Sequence, residues 1–418
     1  MFPDDKKFSS LQILDLQGFF NYHASNEFIK LSEETDRLFL KKEGIAVTDR
    51  DYMSRAIELA KQGVGWTNPN PMVGAVIVKD GRIIGEGYHA RCGELHAERN
   101  AIASLRESAE GATMYVTLEP CCHYGKTPPC TEAILEQKIA RVVIGSRDPN
   151  PKVAGKGVRI LRDAGVEVEE DFMRKECDKL NPVFFHYITH GTPYVVMKYA
   201  MTADGKIATK TGASKWVTGE AARAEVQNMR HQYMGIMVGI GTVLEDDPML
   251  NVRFPGGNSP VRIICDSRLR IPLDSNIVET AHDYRTIVAC GEEAAAKTKK
   301  EKLEAAGVEV FPCPDTEGQI DLQALMQYLG EQKIDSVLIE GGGTLNDSAL
   351  RSGIVQEIKV FIAPKIFGGQ GSISPVEGVG VAFPKEAVRL NYQGMTQIGE
   401  DLMLSYKIGR QDECLQES

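Results

Sequence analysis

His96-Ala97-Glu98 and, further on, Pro120-Cys121-Cys122-His123-Tyr124-Gly125-Lys126-Thr127-Pro128-Pro129-Cys130 decide how this chain is read. His96 and Glu98 with Cys121 and Cys130 supply one imidazole, two thiols, and a carboxylate two residues beyond the imidazole. That is the inventory of a catalytic zinc. Three protein ligands, His96, Cys121 and Cys130, leave the fourth tetrahedral position to water, and Glu98 beside it can move a proton. Cys130 follows Pro128-Pro129 at an expected helix start, where the dipole favours a thiolate and a missing proline N–H leaves no bond unmade. Cys122 competes as a ligand. As the neighbour of Cys121 it cannot reach the same metal without straining the turn, so it ranks below Cys121 and Cys130.

Outward from this constellation, strands and helices alternate. Met53, Ile57, Leu59 and Ala60 predict a helix from Asp51 that ends at Gly63, and the Asn68-Pro69-Asn70-Pro71 turn leads into a strand over Met72 to Val78. Asp80-Gly81 is a hairpin signal, and the returning strand, Arg82 to Tyr88, brings His89 close in sequence to a zinc helix predicted over His96 to Arg106. A strand (Ala112 to Leu118), the cysteine loop, a helix from about Pro128 and a strand (Arg141 to Ser146) follow. The last runs into Asp148-Pro149-Asn150-Pro151, a polar turn at a strand's carboxyl end, where open α/β sheets bind ligands. A further helix and strand end near Glu170. This pattern predicts a layered α/β domain.

Thr189-His190-Gly191-Thr192-Pro193 has linker character, and a second α/β run begins at Tyr194. Its strands are expected at Tyr194 to Lys198, Gly235 to Val238 opening into a glycine turn, Pro260 to Asp266, Thr286 to Ala289 and Ser336 to Glu340. Asp204-Gly205-Lys206 is a turn, and a helix is expected around Glu220 to His231. Gly239-Ile240-Gly241 lacks the third glycine of a dinucleotide fingerprint. Gly341-Gly342-Gly343-Thr344 after a strand can either cradle pyrophosphate at a helix start or form a plain strand-to-helix turn.

At 418 residues the chain is too long for one core. The expected division is an N-terminal extension of unknown role (1–47), a first domain (48–190), a second (191–410) and a tail (411–418). A net charge of -10 opposes binding to a broad polyanion such as nucleic acid. No stretch approaches the roughly 20 apolar residues of a membrane helix, and Pro3-Asp4-Asp5-Lys6-Lys7 does not open a signal peptide. Nine cysteines at irregular spacing, an odd number, do not read as a disulfide framework, which favours a reducing compartment. The expectation is a cytoplasmic protein that contacts neither membrane nor nucleic acid.

In zinc deaminases an H-x-E helix precedes a Pro-Cys turn and a second Cys three residues on, with the Glu serving as acid and base. Here the second Cys lies nine residues on (130 minus 121), which departs from the nucleic-acid deaminase pattern. Asn68-Pro69-Asn70-Pro71-Met72-Val73-Gly74, His96-Ala97-Glu98, Thr117-Leu118-Glu119-Pro120-Cys121, the loop through Cys130 and Asp148-Pro149-Asn150-Pro151 resemble the bifunctional riboflavin-biosynthesis deaminase/reductase family. Asp204-Gly205-Lys206-Ile207-Ala208, Ser214-Lys215-Trp216-Val217-Thr218, Gly239-Ile240-Gly241-Thr242-Val243, Asp246-Asp247-Pro248 and Glu340-Gly341-Gly342-Gly343 match its second half. The resemblance runs from about Asp51 to about Lys407.

It implies a cytidine-deaminase-like three-layer α/β/α domain followed by a dihydrofolate-reductase-like α/β domain. One zinc ion per chain and NADPH are the implied cofactors, phosphorylated pyrimidines the substrates, and a homo-oligomer the assembly. The first reaction would hydrolyse an exocyclic amine, with Glu98 relaying the proton. Asn70, His89, His123, Lys126, Thr127, Asp148 and Asn150 match the family's deaminase substrate contacts, although Asn-Pro initiates turns regardless of function. The second would reduce the ribosyl chain. Ala200, Trp216, Thr242, Asp246, Ser267 and Gly342, Gly343, Thr344, Leu345, Asn346, Asp347 and Ser348 match cofactor contacts. Ser214, Arg230, Leu250, Arg253 and Glu340 match substrate contacts, and Lys198 and Asp246 are the charged candidates for assisting ring opening. Trp216 could equally be core, and Arg230 and Arg253 solvated surface arginines, although a guanidinium suits a phosphate.

Two other readings stay open. One is a nucleic-acid base deaminase with an accessory binding domain; the other is a non-catalytic nucleotide-binding protein with structural zinc, which a fourth protein ligand would support.

Overall fold

The computed structural model describes residues 47–125, 127–296, 298–316, 318–370 and 373–409. Lys126, most of the 1–47 extension and the 411–418 tail lie outside them. Five strands make the first sheet: β1 (Gly74–Lys79), β2 (Arg82–Tyr88), β3 (Thr113–Leu118), β4 (Arg141–Ser146) and β5 (Glu167–Glu169), in the order β2-β1-β3-β4-β5. β1 runs antiparallel to β2 and β3, whereas β3, β4 and β5 are parallel. The turn between β1 and β2 places Asp80 and Gly81 at φ 49° and 71°, the left-handed pair that a two-residue hairpin needs.

Strand residues alternate between two cores, as a period of two requires. Ala75, Ile77, Met114, Val116, Val142 and Ile144 pack with Ala97, Ala101, Ile134, Val158 and Leu161 from the helices Ala97–Ala103, Cys130–Glu136 and Lys156–Asp163. Val76, Val78, Tyr115 and Val143 face the helix Asp49–Lys61 through Tyr52, Met53 and Ala56. The unit is thus three-layered. β2 presents backbone to the zinc helix, since a Cβ at Gly85 would lie 2.5 Å from Ala101 O, and one at Gly87 would collide with Ala101 N.

Strands β6 (Tyr194–Thr202), β7 (Gly235–Gly239), β8 (Val261–Cys265), β9 (Thr286–Gly291) and β10 (Glu309–Cys313) belong to a second sheet. So do β13 (Ser336–Ile339), β14 (Val355–Ala363), β15 (Leu390–Ile398) and β16 (Asp401–Ile408). The short pair β11 (Asp315–Thr316) and β12 (Gln319–Ile320) stands apart. The order is β10-β9-β8-β7-β13-β6-β14-β16-β15, parallel as far as β14 and antiparallel beyond it. Helices cover both faces here also. Leu325, Met326 and Leu329 of Leu322–Glu331 pack on Val195, Met237 and Val337, and Val226 and Met229 of Glu220–Gln232 pack on Val196 and Leu338.

Three local expectations need correction. The zinc helix stops at Ala103 rather than Arg106, because Ser104 Oγ bonds Ala101 O and Glu86 O and diverts the chain. The linker begins inside a helix: its first two residues, Thr189 and His190, close Pro182–His190, which ends on Gly191 at φ 72°, and only Gly191-Thr192-Pro193 is irregular. Gly241 is not in a turn, since Gly239 caps the helix Ile240–Asp246 and Gly241 lies inside its first turn. Among the described residues no helix is long and apolar enough to cross a membrane.

Asp335, just before β13, is 1% exposed and accepts from Asn68 Nδ2 at 2.9 and 3.1 Å and from Ser336 Oγ at 2.6 Å. Burial pushes its carboxyl up to about 6. A carboxyl raised in the folded state stabilises fully below its unfolded value, about 3.9, and that contribution is lost as pH rises through about 6. Wild type should therefore lose on the order of 3 kcal/mol, at about 1.4 kcal/mol per unit, relative to Asp335→Asn between pH 4 and 7. Denaturant midpoints of the two proteins test this, and a pH-independent gap between them would contradict it.

Candidate active sites

The carboxyl ends of β3 and β4 face a cavity of about 280 Å³. His96 precedes the helix Ala97–Ala103, Cys121 lies just beyond β3, and Cys130 opens the helix Cys130–Glu136. The Sγ atoms of Cys121 and Cys130 are each 3.4 Å from His96 Nδ1, and the three ligand atoms lie within 4.8 Å of one another. Arg99 ties the zinc helix to the cysteine loop through the Pro128 and Pro129 carbonyls, at 3.1 and 2.9 Å. Cys122 points elsewhere, its thiol donating to Lys152 O at 3.7 Å.

Glu98 is 3% exposed and lines the same cavity. Burial, then the nearby Cys121, pushes its carboxyl up to about 7. Cys130 donates to Cys121 and so pulls that thiol down to about 4, while the same pairing and its own burial push Cys130 up. The Cys121 hydrogen bond raises His96. Two thiols and a carboxyl thus crowd one buried spot where their negative charges oppose one another. A soft-ligated dication such as zinc relieves that conflict, and the donor set fits it.

Asn70, His89, His123, Thr127, Asp148 and Asn150 all line this cavity. Asn70 Nδ2 and His89 Nε2 are 3.2 Å apart, and His89 Nδ1 is 3.0 Å from Leu95 O. That pattern fits a neutral ring with its proton on Nδ1, and burial lowers the His89 pKa. Asp148 is pushed up to about 6 by burial and accepts the Asn150 N–H at 2.8 Å. His123 Nδ1 is buried with no partner among the described residues. Lys126 lies outside them. Glu119 and Phe184 also line the cavity. Glu119 stood inside the quoted motif without a role; Phe184, from the helix Pro182–His190, carried no sequence signal.

A second cleft of about 970 Å³ is lined by Ser214, Thr242, Asp246, Ser267, Gly342, Gly343, Thr344, Leu345 and Ser348. Gly342 caps the helix Gly343–Arg351, and a Cβ on it would meet open space. That leaves the helix N-terminus accessible to a pyrophosphate. Arg268 and Arg270, which the sequence reading passed over, line the wall beyond β8; their signal was a basic pair just past a strand's carboxyl end.

Other candidates lie outside the cleft lining. Asn346 is 1% exposed, donates to Pro375 O at 2.8 Å and leaves Oδ1 without a partner among the described residues. Asp347 pairs with Arg351 at 2.8 Å. Ala200 sits on β6 opposite Phe361 of β14. Trp216 is no core residue: it is 66% exposed, with the Arg223 guanidinium 4.1 Å from its ring centroid.

Arg230 is no solvated arginine either. It is 8% exposed and grips Glu340 with two bonds of 2.7 and 3.0 Å. Burial opposes the Glu340 charge, but Arg230, Lys198 and Arg253 outweigh it and lower the carboxyl. Burial lowers Lys198, with Glu340 opposing the shift. Leu250 is buried at φ 52°, and Arg253 is exposed.

A zinc-type three-ligand pocket in one α/β unit and a nucleotide-sized cleft in the next define a deaminase-reductase type of protein. Residues 46–146 match the cytidine and deoxycytidylate deaminase zinc-binding region, and residues 193–404 match the RibD C-terminal domain. The riboflavin biosynthesis protein RibD of Actinobacillus pleuropneumoniae is 56% identical over 362 residues, covering 87% of this chain and 96% of that protein. Its Escherichia coli counterpart is 40% identical, covering 85% and 98%. The crystal structure of a diaminohydroxyphosphoribosylaminopyrimidine deaminase/5-amino-6-(5-phosphoribosylamino)uracil reductase from Thermotoga maritima superposes with a TM-score of 0.77 at 40% identity, covering 86% and 98%. The chain belongs to the RibD family of bifunctional riboflavin-biosynthesis proteins.

Proposed function

We propose that the chain catalyses two consecutive steps of riboflavin biosynthesis. The first is hydrolytic deamination of 2,5-diamino-6-(5-phosphoribosylamino)pyrimidin-4(3H)-one. The second is reduction of the ribosyl chain to give 5-amino-6-(5-phosphoribitylamino)uracil. The observation that carries this reading is buried Glu98 sharing a cavity wall with His96 and Cys121, with Cys130 completing the ligand triangle.

His96, Cys121 and Cys130 would hold one zinc ion per chain, which supplies the Lewis acidity that makes a water proton labile near neutral pH. Glu98 takes that proton at its carboxylate and returns it to the departing nitrogen. Asn70, His89, His123, Thr127, Asp148 and Asn150 orient the pyrimidine nucleotide, with Lys126 as the candidate cation for its phosphate. Among the described residues three ligand atoms converge and Cys122 turns away, which supports catalytic over structural zinc.

NADPH in the second cleft would supply hydride. Thr242, Asp246, Ser267, Gly342, Gly343, Thr344, Leu345 and Ser348 would hold it, the cations Arg268 and Arg270 support the phosphorylated form, and Ala200, Trp216, Asn346 and Asp347, which stand outside the cleft lining, are assigned to the cofactor by the family resemblance alone. Ser214, Leu250, Arg230, Arg253 and Glu340 form the substrate side, and Lys198 holds a proton for ring opening. The same reading treats 48–190 and 191–410 as the two catalytic domains and the protein as a cytoplasmic homo-oligomer. Exposed Phe383, Tyr392 and Met395, two of them on edge strand β15, support self-association.

Incubation with the diaminopyrimidinone ribotide, with and without NADPH, tests both steps: ammonia should appear without cofactor, and NADPH oxidation should follow its addition. Deamination of RNA with the nucleotide untouched would favour a nucleic-acid deaminase instead. Arg253→Ala should raise the KM for reduction about 10- to 100-fold, the worth of one charge-assisted contact, with ammonia release unchanged. Intact reduction in that variant would place the phosphate elsewhere.

A further inference from the structure

Arg253 stands on the irregular segment 251–259 that leads to β8, and the helix Glu220–Gln232 anchors that segment at three points. Arg230 Nη1 donates to Asn251 O at 3.1 Å, Gln227 Oε1 accepts the Arg253 N–H at 3.0 Å, and His231 Nδ1 accepts the Asn258 N–H at 2.9 Å. Phe254 meets the His231 ring edge-on, with centroids 5.7 Å apart.

The His231 ring also reaches the first unit. The Trp66 ring meets it edge-on at 5.3 Å. Asn258 Nδ2 donates to Gly65 O at 3.2 Å. Gly65, at φ 75°, comes so near that a Cβ there would lie 2.5 Å from His231 Nε2. Arg91 holds Trp66 with its guanidinium 4.3 Å from the ring centroid. With Nδ1 accepting the Asn258 N–H, the neutral His231 ring carries its proton on Nε2, the nitrogen that lies against Gly65.

We propose that His231 is a positioning residue for the reduction: it pins the Arg253 segment against the Val64–Trp66 turn, so that the reductase half's affinity for its phosphorylated substrate depends on contact with the deaminase half. This rests on the reading above that Arg253 contacts the phosphate. A segment held in its binding conformation pays less ordering entropy when substrate arrives, so the effect falls on KM rather than on the hydride step.

The test uses the full-length chain and 5-amino-6-(5-phosphoribosylamino)uracil. His231→Ala should raise its KM about tenfold, with kcat and ammonia release within about twofold, the loss of one or two hydrogen bonds. Amide exchange over 251–259 should quicken. His231→Asn, whose Oδ1 can accept the Asn258 N–H, should recover most of the KM, and Trp66→Leu, which leaves the segment's own residues intact, should reproduce the His231→Ala defect. An unchanged KM in folded His231→Ala, or no recovery with Asn, overturns the proposal. If His231→Ala does not fold, Trp66→Leu decides in the same way. A silent Arg253→Ala removes the underlying reading, whereas a defective Arg253→Ala beside silent His231→Ala and Trp66→Leu overturns this inference alone.

Discussion

Glu98→Gln should retain zinc and fold normally yet lose ammonia release by about 10²- to 10⁴-fold, the usual worth of a positioned acid or base. The amide keeps the shape of the side chain but cannot carry the proton. Glu98 is 3% exposed beside the cysteine pair, so bulk water has little access to do the same work. NADPH oxidation, assayed with the already deaminated nucleotide, should be unaffected because the second cleft is lined by other residues. Ammonia release and metal content measured on one preparation decide it. Normal turnover would remove Glu98 from the mechanism.

Cys130→Ser should weaken zinc binding by more than the 10- to 100-fold typical of losing an outer partner, whereas Cys122→Ser should leave it near wild type. Cys130 is fully buried with Sγ 3.4 Å from His96 Nδ1, and Cys122 instead bonds Lys152 O. Metal content after equilibration against a chelator, with ammonia release alongside, measures the difference. Equal losses in the two variants would contradict the ligand ranking.

Where a feature is set within a few residues, the sequence announced it. Asp80-Gly81 marked its hairpin because only a left-handed pair closes that turn, and the buried strands β3 and β4 stood out as apolar runs. The convergence of His96, Cys121 and Cys130 was legible because the donor types and their order are chemically distinctive. Contacts between distant segments were not. Arg230 and Glu340, 110 positions apart, read alone as a surface arginine and a strand-end acid, and their pairing follows from β7 and β6 flanking β13. The zinc helix was overextended because the Ser104 hydroxyl competes with the helix only once β2 lies beside it. Strand β15 shows only a brief alternation, Leu390-Asn391-Tyr392-Gln393, which Gly394 interrupts at a register shift, and it lies exposed along most of its length.

Gly85 and Gly87 touch neither metal ligand nor cavity, yet they set how near the zinc helix lies to β2. The placement of His96 and Glu98 is therefore referenced to a close main-chain approach, across which the Asn100 and Ser104 side chains bond β2 carbonyls. Any larger residue at either position would displace the imidazole and the carboxyl together, as a rigid pair. A search for important positions by distance from the reacting atoms would pass over both glycines, while a mutational scan of deamination would register them as sharply as the ligands themselves.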